Sequence, residues 1–301
     1  MYFPTATVLG KTLNAMFERA KQQEMAKYQL TGIDMLYMVS KMKNGKLDLS
    51  WLGDIPAVKQ WRGSKMYGDL SEFSYELEAE DFYDGFAIQK KAIRRNDLNG
   101  IKPRIGQLAI NLNNYELELV LSAIVAGTTG LAYDGAAFFS NRAVNDNLAA
   151  GTGITLAQIT TDLTTNRRTM MRFVTDKSHF TRYIPDTVLC PTALEPLFLQ
   201  LKNSTDNPNS SNRTANPYGS WLRNVIALPD LDDTNDWYLC ASTYSVKPFV
   251  FGFENLENGQ KVLPVLDTTK LASDGVYGYS CELSGKAGYG FPTMAIKIVN
   301  T

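Results

Sequence analysis

The chain has 301 residues, of which 44% are hydrophobic and 20% charged, a composition that excludes disorder over most of its length. Thirty basic residues against 31 acidic ones leave a net charge of −1, which argues against a protein built to coat nucleic acid. Three cysteines without a CxxC spacing and a single histidine, His179, exclude a zinc cluster, a full disulfide framework and any metal site that needs two histidines.

Met1 to Gly10 has no basic start followed by an apolar run, so no secretory signal is expected. The longest apolar stretch, around Leu119 to Ala126, falls far short of the roughly 18 residues that cross a bilayer. The expectation is a soluble chain, made in a cytoplasm, with reduced cysteines and no membrane partner. The sequons at Asn203, Asn209 and Asn212 then read as polar loop.

Residues 1–50 read as an arm. Asn14 to Leu30 has helical composition with mainly basic charges, and Met35 to Val39 is a short apolar run. Such a segment is expected to pack across a partner. Trp51-Leu52-Gly53-Asp54-Ile55-Pro56 and Trp61-Arg62-Gly63 suggest a rigid turn region. From Phe73 the pattern becomes strand-like. Phe73, Tyr75, Leu77 and Ala79 alternate with Ser74, Glu76, Glu78 and Glu80, and Phe86 and Ile88 follow an Asp84-Gly85 turn. This predicts an extended hairpin.

Charge along this hairpin is sorted. Asp69, Glu72, Glu76, Glu78, Glu80, Asp81 and Asp84 come first; Lys90, Lys91, Arg94, Arg95, Lys102 and Arg104 follow, opposed only by Asp97. Two compatible readings arise: strands of one hairpin that attract each other, or a charged flap that docks on a complementary neighbour.

Ile105 to Ala126 carries apolar residues at 3-4-3 spacing and predicts a long helix, with Pro103 before it and Gly127 at its end. Leu156 to Val174 predicts a second helix decorated by Arg167, Arg168 and Arg172. Thr187–Cys190 reads as a strand, Pro191–Leu201 as a helix, and Asn203–Tyr218 as an exposed loop. Strands follow at Asn224–Leu228, Trp237–Ala241, Val246–Phe253, Lys261–Leu266 and Met294–Val299. Helices and strands without a regular βαβ alternation make the fold class α+β.

Catalytic patterns are weak. Ala126-Gly127-Thr128-Thr129-Gly130 lacks the lysine of a phosphate-binding loop and reads as a helix end. Glu116 and Glu118 point away from each other on a helix, which does not make a glycosidase pair. His179, in Asp176-Lys177-Ser178-His179, has no nucleophile elbow beside it. Asp230, Asp232, Asp233 and Asp236 do not fit the calcium-loop spacing. Arg167, Arg168, Arg172, Lys177 and Arg182 read as a solvated helix face or as a surface for weak, sequence-blind phosphate contact. No catalytic, cofactor-binding or metal site is expected. An arm, a charged hairpin and a long helix are instead the parts that assembling subunits use.

Six segments in one order resemble the Mu-type phage major head subunit family. They are Trp51-Leu52-Gly53-x-x-Pro56 with Trp61-x-Gly63; Asp97-Leu98-Asn99-Gly100 before the long helix; Tyr133-Asp134-Gly135-x-x-Phe138-Phe139; Pro185-Asp186-Thr187-Val188-Leu189-Cys190-Pro191-x-x-Leu194-Glu195; Trp237-Tyr238-Leu239 with Val246-Lys247-Pro248-Phe249; and Gly288-Tyr289-Gly290-Phe291. The resemblance implies a Hong Kong 97-type capsid fold. Residues 1–50 would be an N-terminal arm and 51–98 an extended loop. Residues 99–184 and 266–301 would form a peripheral domain around a spine helix at 105–126, and 185–265 an axial domain; with no long Glu/Lys-rich helical leader, a fused scaffolding segment is not expected in the chain.

It further implies a major head protein that closes into pentamers and hexamers and forms an icosahedral shell around double-stranded DNA. A scaffolding protein, a portal and a decoration protein would be its partners. Glu76, Glu78, Glu80 and Asp81 would face Lys90, Lys91, Arg94 and Arg95 of a neighbour, each exposed pair contributing about 0–1 kcal/mol. Arg167, Arg168 and Arg172 would face the packaged DNA. The alternatives are an encapsulin-like nanocompartment shell and a soluble enzyme of another type.

Overall fold

The computed structural model describes residues 6–28, 32–50, 52, 75–95, 100–175, 178–208, 214–231, 233–256, 261–271 and 273–300. In chain order the elements are α1 (Ala6–Tyr28), β1 (Tyr37–Met42), β2 (Lys46–Asp48), β3 (Glu76–Glu78), β4 (Glu80–Gln89), α2 (Lys90–Arg94), α3 (Ile101–Val125), β5 (Leu148–Ala150), α4 (Leu156–Met170) and β6 (Thr187–Pro191). There follow α5 (Glu195–Asn203), α6 (Tyr218–Trp221), β7 (Asn224–Leu228), β8 (Trp237–Cys240), β9 (Phe249–Glu254), β10 (Val262–Asp267), β11 (Val276–Tyr289) and β12 (Ala295–Val299).

Two five-stranded sheets organise the fold. In the first, β11 is the long central strand. β9 and β10 lie end to end along one side of it, with β1 parallel to β9, while β4 runs antiparallel along the other side. The second sheet has the order β5-β12-β8-β6-β7. A small ladder joins β2 to β3.

The long helix begins at Ile101, four residues earlier than the pattern predicts, because a proline is tolerated in a first turn whose N–H groups lack partners anyway. At 25 residues α3 is about 38 Å long. Its first half buries Ile105, Leu108 and Leu112 on Tyr277, Tyr279 and Cys281 of β11. Its second half buries Val120, Leu121 and Ile124 with residues of both sheets, among them Phe249, Phe251, Tyr238 and Cys240. α3 is thereby the spine on which both sheets are fixed. α4 starts with a capping box: the Gln158 N–H donates to the Thr155 hydroxyl, and the Thr155 N–H to the Gln158 side-chain oxygen. With α5, it packs on β6, β8 and β12 around Trp237 and Phe198.

The N-terminal segment does not stand apart from the body of its own chain. Its helix starts at Ala6, and Leu9, Leu13 and Phe17 form one apolar stripe at four-residue spacing that is buried against α3 and β11. Nor is there a turn at Asp84-Gly85: β4 runs through it as one strand of ten residues. Gly85 serves close strand approach there, since a Cβ would stand 2.8 Å from the Ser280 Cβ. The predicted strand pairing is also replaced, because β3 pairs with β2 and β4 with β11.

Apart from β11, which no predicted strand covers, other differences are of boundary. α4 ends at Met170, α5 begins at Glu195 after a turn, and β9 begins at Phe249. The expected division at residue 265 falls inside β10, and residues 185–265 supply strands to both sheets. In the polar segment 203–218, Asp206 bridges to Ala215, and the Asn216 amide donates to the Leu201 and Ser204 carbonyls.

All three cysteines are buried and unpaired. Burial pushes the thiols of Cys190 and Cys281 up to about 12, and that of Cys240 further in the same direction. None of the three is expected to react with Ellman's reagent in the native protein, whereas all react in guanidinium. A thiol titrated under native conditions would contradict this packing.

Candidate assembly surface

The sorted charges run from β3 along β4, the margin of the first sheet, into α2. Along β4, Phe82, Asp84, Phe86 and Ile88 turn toward the helical layer. Phe82 packs on Tyr115 with ring centres 4.8 Å apart, and Asp84 accepts a hydrogen bond from the Asn111 amide at 2.9 Å. The alternate residues, Asp81, Tyr83, Gly85, Ala87 and Gln89, are exposed. Tyr83 is 81% exposed, unusual for a large aromatic side chain.

Partners within the chain divide the predicted acidic residues. Lys46 pairs with Glu76 at 3.2 Å and with Glu78 at 3.0 Å, and Lys286 pairs with Glu80 at 2.8 Å. The hydrogen bond to Glu78, then that to Glu76, holds the Lys46 ammonium above its usual range. These are solvent-exposed pairs, whose value is small. Asp81, Lys90, Lys91 and Arg95 are exposed, and their side chains have no ionic partner among the described residues. The Arg94 side chain lies outside the described residues, as do Asp69, Glu72, Asp97 and the Trp51, Gly53–Pro56 and Trp61–Gly63 positions of the first motif.

Two hollows flank this margin. One, of about 720 Å³, lies between β3, the C-terminal half of α3 and the end of β11, with Leu119, Ala123 and Leu131 as apolar lining and Glu76, Glu78 and Glu80 among its charged lining. The other, of about 470 Å³, is lined by Asp81, Tyr83, Asp84, Asn114, Tyr115 and Glu118. Sequence reasoning missed Tyr83, Lys46 and Lys286. The alternation Asp81, Tyr83, Gly85, Ala87, Gln89 carried the signal for Tyr83, but the supposed turn at Asp84-Gly85 interrupted it.

Of the predicted basic patch, Arg168 and Arg172 are exposed. Arg167 is half-buried: it donates to the Pro185 carbonyl at 2.7 Å and lies 5.0 Å over the Trp221 ring. Burial lowers its pKa from the usual value. The other weighed residues are structural or solvated. Glu116 pairs with Lys261, and Asp236 with Lys297 at 2.9 Å. Asp233 accepts backbone N–H groups of its own turn; Asp232 lies outside the described residues. His179 is exposed.

The Tyr133-to-Phe139 motif is a packing device. Asp134 pairs with Arg142 at 3.0 Å, and the same guanidinium donates to the Ala137 and Phe138 carbonyls. Phe138 and Phe139 are thereby held in the core at the end of α3. Gly130 admits the Tyr289 ring from the Gly-Tyr-Gly-Phe motif, where a Cβ would lie 2.1 Å from its hydroxyl. Motifs 150 residues apart in sequence therefore interlock.

The profile of the family described as phage capsid protein matches residues 74–282. The chain belongs to this family. The matched region includes β4, α2, the spine α3 and most of both sheets. A curated relative, the Mu-like prophage FluMu major head subunit of Haemophilus influenzae, is 27% identical over 116 residues, 38% of each chain. The aligned part of this capsid-family chain thus spans well under half the length of that relative.

Solved structures share the fold. The procapsid of bacteriophage JBD30 superposes with a TM-score of 0.52 at 16% identity, covering 96% of this chain and 74% of that one. The virus-like particle of Pyrococcus furiosus superposes with a TM-score of 0.58 at 9% identity, covering 96% and 98%. The fold is of the Hong Kong 97 type, in its expected α+β class. Among the described residues, no helix is long and apolar enough to cross a membrane.

Proposed function

We propose that this chain is the major head subunit of a tailed phage or prophage, closing into pentamers and hexamers of an icosahedral shell that encloses double-stranded DNA. The observation that carries this reading is the family match, which extends over the spine helix and most of both sheets. Shell closure needs contacts repeated identically between copies, and an exposed margin with sorted charge suits that need. The chain's work is assembly, not catalysis; it resides in the virion after assembly in the host cytoplasm.

Residues 1–50 and 51–98 correspond to the arm and extended loop, except that β1 and β4 are counted with the first sheet, a revision suggested by the strand order. α3 with the first sheet is the peripheral body. The sheet β5-β12-β8-β6-β7, with α4 and α5, is the axial body near the capsomer centre, a revision of the 185–265 boundary suggested by the strand order. Acidic residues Glu76, Glu78, Glu80 and Asp81 of one copy lie near Lys90, Lys91, Arg94 and Arg95 of another. Arg168 and Arg172 give weak contact with packaged DNA, with Arg167 retained as a packing residue. A scaffolding protein, a portal and a decoration protein complete the assembly.

The fold shared with the Pyrococcus furiosus particle supports a second reading, an encapsulin-like nanocompartment. Nuclease treatment of particles recovered from the native host separates the two. Protected double-stranded DNA of uniform length is the expected result; a protein cargo without DNA would favour the nanocompartment.

A further inference from the structure

β4 is bonded to β11 along one side only, and its other side is an open sheet edge among the described residues. Two observations fix which backbone groups face that edge. Gly85 and Ser280 approach so closely that a Cβ on Gly85 would stand 2.8 Å from the Ser280 Cβ, which marks a pair that does not exchange ladder hydrogen bonds. The Gly85 N–H accordingly donates to the Asp84 carboxylate at 2.8 Å, not to β11. By the period of two, the N–H and C=O groups of Asp81, Tyr83, Ala87 and Gln89 point to the same open edge.

From this edge we infer that β4 is a site of strand pairing with β4 of a second copy, antiparallel about a twofold axis at Gly85. This deepens the shell reading and rests on it for where the contact occurs. The strand is self-complementary in that arrangement. Glycine faces glycine at the axis, and Asp81 stands across from Gln89. Tyr83, exposed in the single chain, stands across from Ala87 and diagonal to Gly85 of its partner strand. Glu80 falls beside Lys90, and Asp81 lies diagonal to Lys91. The acidic end of each strand thus meets the basic end of the other, including Asp81, Lys90 and Lys91, whose side chains lack an ionic partner among the described residues. Shifting the register by two residues either way separates Glu80 from Lys90 and moves glycine off the axis. Open edges of this length are otherwise protected by charge or by covering, and addition of a strand is a recurrent means of association.

The full-length variant Tyr83→Cys/Ala87→Cys, treated with a short bis-maleimide, tests this geometry; Cys190, Cys240 and Cys281 are buried and silent. A twofold contact joins each chain to one partner only. The expected product on a denaturing gel is a dimer and nothing larger, about tenfold more abundant than with either single-cysteine variant, whose thiols lie about 13 Å apart across the axis. A ladder of trimers and longer products, or monomer alone in both the subunit and particle fractions, overturns the proposal. Exposed charges provide an independent arm. Lys90→Glu/Lys91→Glu and Glu80→Lys/Asp81→Lys each weaken dimer formation about tenfold or more, and the four substitutions combined restore it. Failure of the combined variant to restore dimers also overturns the proposal. Electron microscopy of the same samples separates the two claims. Shells that give ladders or monomer refute the twofold contact alone, whereas cross-linked dimers without shells refute the shell reading alone.

Discussion

Phe138→Ala lowers the stability of the subunit by about 3–5 kcal/mol, the cost of removing a large aromatic ring from a packed core. Phe138 has no exposed surface. Its ring centre lies 4.8 Å from Phe139, 4.9 Å from Tyr289 and 5.2 Å from Phe249. It therefore joins the end of α3 to β9 and β11 where the two sheets share one core. Domains of this kind have a total stability of about 5–15 kcal/mol, so the loss is a large fraction. Chemical denaturation of unassembled subunit is expected to show a lower midpoint with an unchanged slope. An unchanged midpoint would mean that this cluster does not hold the sheets to the spine.

Glu116→Gln costs about 3 kcal/mol at neutral pH, near the lower end of what breaking a buried pair costs. Glu116 accepts from Lys261 and, at 3.4 Å, from the Tyr37 hydroxyl. The Lys261 ammonium lies 4.8 Å over the Phe251 ring and 5.5 Å over that of Phe253. Side-chain exposure is 25% for Lys261 and 16% for Glu116, so a lone ammonium would keep little of its water. Burial holds Lys261 below its usual pKa, and Glu116 opposes that shift. Without the carboxylate the folded-state value falls further. Between it and the unfolded value of about 10.4, the unfolded chain binds more protons than the folded one, so stability rises with pH. The deficit of Glu116→Gln is therefore expected to shrink between pH 7 and pH 10, as paired denaturation curves would show. A deficit of the same size at both pH values would contradict the role given to the buried ammonium.

Local pattern made much of this fold legible. β7 lies where the apolar run Asn224–Leu228 predicts it, and the 3-4-3 spacing after Ile105 gave α3 to within one turn. The 14-residue β11 was missed, although Tyr277, Tyr279, Cys281 and Leu283 alternate with Gly278, Ser280 and Glu282. Its glycines weaken the strand pattern, whereas in the fold they are places where strands and side chains approach closely. Asp84-Gly85 misled in the same way, because a dipeptide common in turns sits inside a straight edge strand. The charge sorting was visible in sequence, but its partners were not: Lys46 and Lys286 reach the acidic residues from strands 30 and about 200 residues away. Such pairings depend on sheet order, which periodicity alone does not encode. The motifs around Phe138 and Gly288 could be recognised as a series, yet their interlocking through Gly130 and Tyr289 is a tertiary fact.

The central claim is that identical copies of this chain close into a shell. Cryo-electron microscopy of the purified full-length chain, alone and with the scaffolding protein proposed for it, addresses it most directly. The expected images are closed icosahedral particles built of pentamers and hexamers, with α3 and the first sheet at the contacts between capsomers. A uniform population of small, non-assembling particles at high concentration under both conditions would contradict it.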